Sequence, residues 1–175
     1  MSATDFTTLP MKVVCAWCQK IMSESPSPGE AVTHGICAAC LRDVIGGSIG
    51  LGDFVDRLSF PVLVTDGGMT VVEANRAAAT VLGRAKAALV SQSPGVAIEC
   101  FGAHAPDCCG QSSVCQGCRL RQSIQDTHAD GRPRSGVYGG DGPALGPLRF
   151  RFSVQKVGDV VMCLIEDLVD SRASP

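Results

Sequence analysis

Near the C-terminal end, Leu148, Phe150, Phe152 and Val154 alternate with Arg149, Arg151, Ser153 and Gln155. A period of two puts the first four on one side of a β-strand and the others on the opposite side, which predicts a sheet with one buried and one wet face. Arg149 and Arg151 then serve to keep that face wet, or border a partner surface. Lys156 to Asp159 reads as a turn, and Val160-Val161-Met162-Cys163-Leu164-Ile165 as the partner strand, with Cys163 a small buried hydrophobe. Residues 134–139 make one further strand. Upstream, Phe54, Val55 and Leu58 predict a short helix leading into the β-branched run Pro61-Val62-Leu63-Val64-Thr65. Asp66-Gly67-Gly68 is a turn signal, and Met69 to Ala74 is the returning strand. Asn75 is a good N-cap for a helix from Arg76, with Ala78, Val81 and Leu82 on one face. Gly83 ends it, 85–90 makes another short helix, and Ser93-Pro94-Gly95 breaks that one. After Cys118, Leu120 and Ile124 stand four apart, as on one face of a helix. The order is two strands, short helices, then three strands. It implies an α+β fold in which an antiparallel sheet carries helices against one side.

The remaining N-terminal part has a different texture. Residues 1–10 are expected to be a disordered tail, and 11–45 a small module containing the exposed loop Ser23 to Gly29 and one helical turn at Leu41, Val44 and Ile45. Residues 46–52 hold four glycines in seven positions and read as a linker. The main domain is expected over 53–168, with a second tail at 169–175.

Composition narrows the classes. The 175 residues suffice for one ordinary domain and a small appendage. With 18% charged residues and a formal net charge of −2, there is no electrostatic case for sequence-independent binding to a phosphate backbone. The stretch MSATDFTTLPMKVV lacks the basic and apolar regions of a secretory signal, and no segment reaches the roughly 18 apolar residues of a membrane span. A cytoplasmic protein with no membrane partner is expected.

In that compartment, ten cysteines point to metal or redox chemistry rather than structural disulfides. Eight of them form two quartets. The first is Cys15-x2-Cys18-x18-Cys37-x2-Cys40. Two residues between thiolates let both sulfurs of a tight turn reach one tetrahedral ion, and two such pairs close a four-sulfur shell. Zinc suits this shell and would fold a segment too short to build its own core; rubredoxin-like iron takes the same ligands. His34 reads as a turn or supporting residue rather than a ligand. The second quartet is Cys100-x8-Cys109-x5-Cys115-x2-Cys118, with Cys108 beside Cys109. It fits zinc, an iron–sulfur cluster or a dithiol–disulfide switch. Cys115 and Cys118 are placed at a helix N-terminus, whose N–H groups would favour thiolate and lower its pKa. His104 could complete a mixed shell, and Cys108 supply a spare thiol. A haem would have His128 as its placed candidate ligand.

The order of elements, with Phe60-Pro61-Val62-Leu63-Val64-Thr65-Asp66 and Val71-Val72-Glu73-Ala74-Asn75, resembles a PAS sensor domain over residues 53–168. That resemblance implies a PAS-like five-stranded antiparallel sheet and a pocket between it and its short helices. The segment Glu99-Cys100-Phe101-x-Ala103-His104-x-Pro106-x-Cys108-Cys109-Gly110, followed by Cys115-x2-Cys118-x-Leu120-Arg121, is similar to a cysteine-rich bacterial signalling subgroup of PAS domains. There Cys109 matches the pattern and Cys108 departs from it. Cys15-Ala16-Trp17-Cys18-Gln19-Lys20 with His34-Gly35-Ile36-Cys37-x2-Cys40 looks like a zinc-ribbon element. A flavin photosensor's Asn-Cys-Arg-Phe motif is absent.

The sequence therefore points to sensing and relay without turnover. The metal ligands expected are Cys15, Cys18, Cys37 and Cys40 for zinc, and Cys100, Cys109, Cys115 and Cys118 for zinc or an iron–sulfur cluster. No output region follows the PAS-like segment, so a protein partner such as a histidine kinase, or a PAS homodimer, is expected to carry the signal. Two competing readings are a thiol–disulfide oxidoreductase using Cys115-x2-Cys118 and a zinc-ribbon nucleic-acid-binding protein. An antiparallel context argues against the first, and the weak positive charge of Lys12, Lys20 and Arg42 against the second.

Overall fold

The structure, a computed structural model, describes residues 12–23, 32–47, 49–100, 109–110, 113–142 and 146–170. The expected tail at 1–10, most of the 23–29 loop, His104, Cys108 and residues 171–175 lie outside them.

The main sheet is built from β4 (Val62–Thr65), β5 (Val71–Ala74), β6 (Arg134–Gly142), β7 (Gly146–Val157) and β8 (Val160–Asp170), in the order β5-β4-β8-β7-β6. Every neighbouring pair is antiparallel, and the PAS-like five-stranded sheet expected from the sequence is present. Cys163 sits mid-sheet, paired with Leu63 on one side and Val154 on the other, and is buried as expected. Asp66 ties the first hairpin turn by accepting from the N–H groups of Gly68 and Thr70 through Oδ1, both at 2.9 Å.

On one face lie α3 (Arg76–Val81), α4 (Lys86–Leu89), α5 (Pro94–Ala97), α6 (Ser113–Gln116) and α7 (Arg119–Asp130). Leu89, Ala97, Leu120 and Ile124 pack there against Phe150, Phe152, Val154 and Ile165. Asn75 caps α3 as anticipated, its Oδ1 accepting from Ala78 N–H at 2.8 Å. Ser93-Pro94-Gly95 does not simply break the chain. Ser93 caps α5 with Pro94 in its first turn, where a missing N–H costs nothing.

The N-terminal module consists of β1 (Lys12–Cys15), β2 (Ile21–Ser23), β3 (Val32–Gly35) and α1 (Ala38–Ile45), with strand order β2-β1-β3. It lies on the second face of the main sheet together with α2 (Leu51–Asp56), which takes up the last two residues of the expected glycine-rich linker. Cys15, Ile36, Cys40, Phe54, Val62, Val64, Met162 and Leu164 form one shared core there.

That arrangement corrects the expectation of a wet face. Ser153 is buried and donates from Oγ to the His34 carbonyl at 2.6 Å. Gln155 grips Ile36, and Arg151 reaches the Val32 carbonyl at 3.4 Å. The polar side of β7 is thus the floor on which β3 rests. No helix among the described residues is long and apolar enough to cross a membrane.

Candidate metal centre

Cys15 ends β1 and enters a tight turn in which its N–H donates to Lys20 O at 2.7 Å and its carbonyl accepts from Gln19 N–H at 2.9 Å. This turn brings Cys18 back beneath Cys15. Cys37 is the N-cap of α1, and Cys40 lies one turn inside it. The four sulfurs all come within 4.8 Å of one another. Cys15 Sγ is 3.9 Å from Cys40 Sγ, and Cys18 Sγ is 3.7 Å from Cys37 Sγ. A tetrahedral ion with metal–sulfur bonds of about 2.3 Å needs sulfur–sulfur edges of about 3.8 Å, which these two pairs match, so the four residues fit a single ion. The Cys37 N–H also donates to Cys15 Sγ at 3.4 Å.

The electrostatics show why a cation belongs here. The Cys40 backbone N–H brings the Cys37 thiol down to about 6, whereas burial and the neighbouring cysteines push Cys40 well up. One thiol ionises readily and Cys40 resists. A divalent ion at the centre supplies the charge that lets all four act as thiolates. His34 is no ligand: its Nδ1 faces Glu166 Oε1 at 3.2 Å, and its N–H donates to the same oxygen at 2.8 Å.

The second quartet is arranged differently. Cys100, Cys109, Cys115 and Cys118 all line one cavity of about 610 Å³ between the helices and β6, together with Tyr138 and Ile124. Among the described residues, however, the N-terminal group is the one set of three or more ligating atoms gathered within bonding distance of a common ion. Cys118 caps α7 as expected, but the expected lowering of its pKa does not occur. Burial raises both Cys109 and Cys118, outweighing the Gly95 N–H on the former and the Arg121 and Leu120 N–H groups on the latter. Tyr138, whose own hydroxyl burial pushes up, lines the same cavity as Cys100. Nothing in the sequence marked this lone tyrosine in a glycine-rich strand.

The haem candidate fails on position. His128 lies at the far end of α7, its Nε2 3.1 Å from the Asp159 carbonyl and its ring against Gly67.

No family model and no curated protein matches this sequence. Among solved structures, the chain is similar to the photoactive yellow protein domain of the sensor histidine kinase Ppr from Rhodospirillum centenum, with 17% identity, a TM-score of 0.49, and coverage of 71% of this chain and 100% of that one. It is also similar to a domain of a sensory box sensor histidine kinase/response regulator from Geobacter sulfurreducens, at 10% identity and a TM-score of 0.48, covering 65% of this chain and 88% of that one. A third is the PAS domain of nitrogen regulation protein NR(II) from Vibrio parahaemolyticus, at 15% identity and a TM-score of 0.45, covering 68% and 99%. The architecture itself, a β5-β4-β8-β7-β6 antiparallel sheet with short helices over one face, is PAS-like.

Proposed function

We propose that this chain is a PAS-type signal-transduction protein. It senses redox state, oxygen or a small ligand through a metal-type centre at Cys100, Cys109, Cys115 and Cys118, and relays that state to a protein partner such as a histidine kinase or a second copy of itself. The N-terminal quartet holds a structural zinc ion. One observation carries the reading: four cysteines from three separate stretches converge on a single cavity against the helix that packs on the sheet. A change at those sulfurs acts directly on the start of α7, and Leu120 and Ile124 connect that helix to Phe150 and Phe152. Burial that holds the Cys118 thiol above its ordinary value argues against its attacking as a free thiolate, and hence against a thiol-exchange turnover.

The test is hydrogen exchange across 119–130, comparing protein purified without air with the same protein after oxidation. Exchange in α7 changes between the two states in the wild type, and the change is lost in Cys115→Ser/Cys118→Ser. Equal exchange in both states of the wild type would overturn the sensing role.

A further inference from the structure

The two quartets present contrasting geometries. Around the N-terminal site two sulfur–sulfur pairs already stand at the edge length of a tetrahedron about one ion, and all four sulfurs lie within 4.8 Å of one another. The second set instead rings a space of about 610 Å³ without gathering to that distance. A cluster of iron and inorganic sulfide interposes several atoms between its cysteine ligands, so it asks for thiolates set apart around a space, whereas a lone ion asks for contact.

The donors around that space fit the same occupant. Tyr138, Gly95, Leu120 and Arg121 all line it beside the four cysteines. Four thiolates and bridging sulfides carry negative charge. The cavity answers it with the N-terminus of the 12-residue α7 and the guanidinium groups of Arg119 and Arg121. Arg121 Nε is buried with no hydrogen-bond partner, and its guanidinium lies against Gly110, where a Cβ would come within 2.6 Å of that nitrogen. A buried donor at the wall of a sulfur-lined space calls for an acceptor inside it.

We propose that Cys100, Cys109, Cys115 and Cys118 hold a polynuclear iron–sulfur cluster in this cavity, with the Tyr138 hydroxyl in its wall as a donor to the cluster's sulfur. The proposal rests on the sensor reading above and names its cofactor. Ferrous iron, ferric iron and inorganic sulfide are the co-reactants of assembly, the ferric iron supplying the oxidised sites of the cluster. As each Cys Sγ–Fe bond forms, that thiol's proton passes to solvent. Tyr138 is a positioning residue: hydrogen bonds to ligand sulfur favour the more negative, reduced cluster and raise its potential.

The full chain is reconstituted anaerobically with ferrous and ferric iron and sulfide, freed of excess reagent, and assayed for iron, acid-labile sulfide, visible absorption and the electron paramagnetic resonance of the reduced form. Labile sulfide is retained in the wild type and lost in Cys109→Ser and in Cys118→Ser. Tyr138→Phe, which keeps the ring stacked 4.9 Å from Phe150, retains the cluster at a lower midpoint potential. A second site that loads one zinc or iron ion and no labile sulfide overturns the cluster while leaving the α7 exchange response, and so the sensor reading, intact. An unchanged potential in Tyr138→Phe overturns the assigned role of its hydroxyl.

Discussion

Gln155 holds Ile36 by both of its backbone groups: Oε1 accepts the Ile36 N–H at 2.8 Å and Nε2 donates to the Ile36 carbonyl at 3.0 Å. One side chain from the main sheet thereby completes the hydrogen bonding of the residue just before a metal ligand. Leaving a buried backbone group without its partner costs about 1–3 kcal/mol, so Gln155→Ala loosens the module on its floor. The expected result is faster transfer of the N-terminal ion to a chromogenic chelator and a lower thermal midpoint. Gln155→Glu, which can accept but not donate, falls between. Transfer rates identical to wild type in both variants would show that the contact does not hold the module.

Removing the ion reaches beyond the module. Cys15 and Cys40 belong to the same core as Phe54, Met162 and Leu164, so withdrawing the charge that reconciles four thiolates loosens the packing of that whole face. A strong chelator is expected to lower the unfolding midpoint of the main sheet as well, and added zinc to restore it. Protons compete with the ion for sulfur, so the loss proceeds as pH falls. Calorimetry with and without chelator checks this.

Asn75 is fully buried and ties together α2, β4, α3 and the connection between α2 and β4. Its Oδ1 accepts from Val62 and Ala78 N–H groups, while Nδ2 donates to the carbonyls of Val55, Leu58 and Phe60. Asn75→Ala orphans several of these at once, a loss of more than about 3 kcal/mol. Asn75→Asp is expected to be worse at neutral pH, because it sets a carboxylate against three carbonyl oxygens. Denaturant midpoints of the two variants measure the difference.

Asp56 gives a pH signature. Burial alone would raise its carboxyl, but the Arg76 N–H at 2.8 Å and the Lys86 ammonium at 3.1 Å more than offset that and hold it below its ordinary value. A carboxyl depressed on folding contributes stability that is present above the unfolded pKa of about 3.9 and is lost as pH falls through the lower, folded value. Asp56→Asn is therefore expected to be less stable than wild type at pH 7, with the gap closing in strong acid. Thermal melts from pH 7 down to 2 follow it.

Much of this was legible along the chain because the signals are local. The paired x2 spacings announce the N-terminal shell, the turn at Asp66-Gly67-Gly68 and the cap at Asn75 fix the first hairpin and helix, and the alternation from Leu148 to Gln155 gives β7 and its inner face. What escaped is non-local. Ser153 and Gln155 are polar, and a polar side chain turned to water reads the same as one turned to a neighbouring backbone. The docking of β3 was therefore invisible until the second face was seen covered. The thiolate expectation for Cys118 failed for a related reason: its helix terminus is encoded nearby, but the burial that outweighs it comes from distant strands. Tyr138 and Arg121 acquire their roles only when β6 and α7 enclose the same space.

The seam between module and sheet carries its own optical label. Trp17, the sole tryptophan, stacks on Phe54 with ring centroids 4.3 Å apart and lies under the Arg57 guanidinium. Its indole therefore straddles the two parts, one residue from the ligand Cys18. Tryptophan emission from this protein thus has a single source, at the joint, and any parting of the two pieces will change its colour and intensity without a dye being attached.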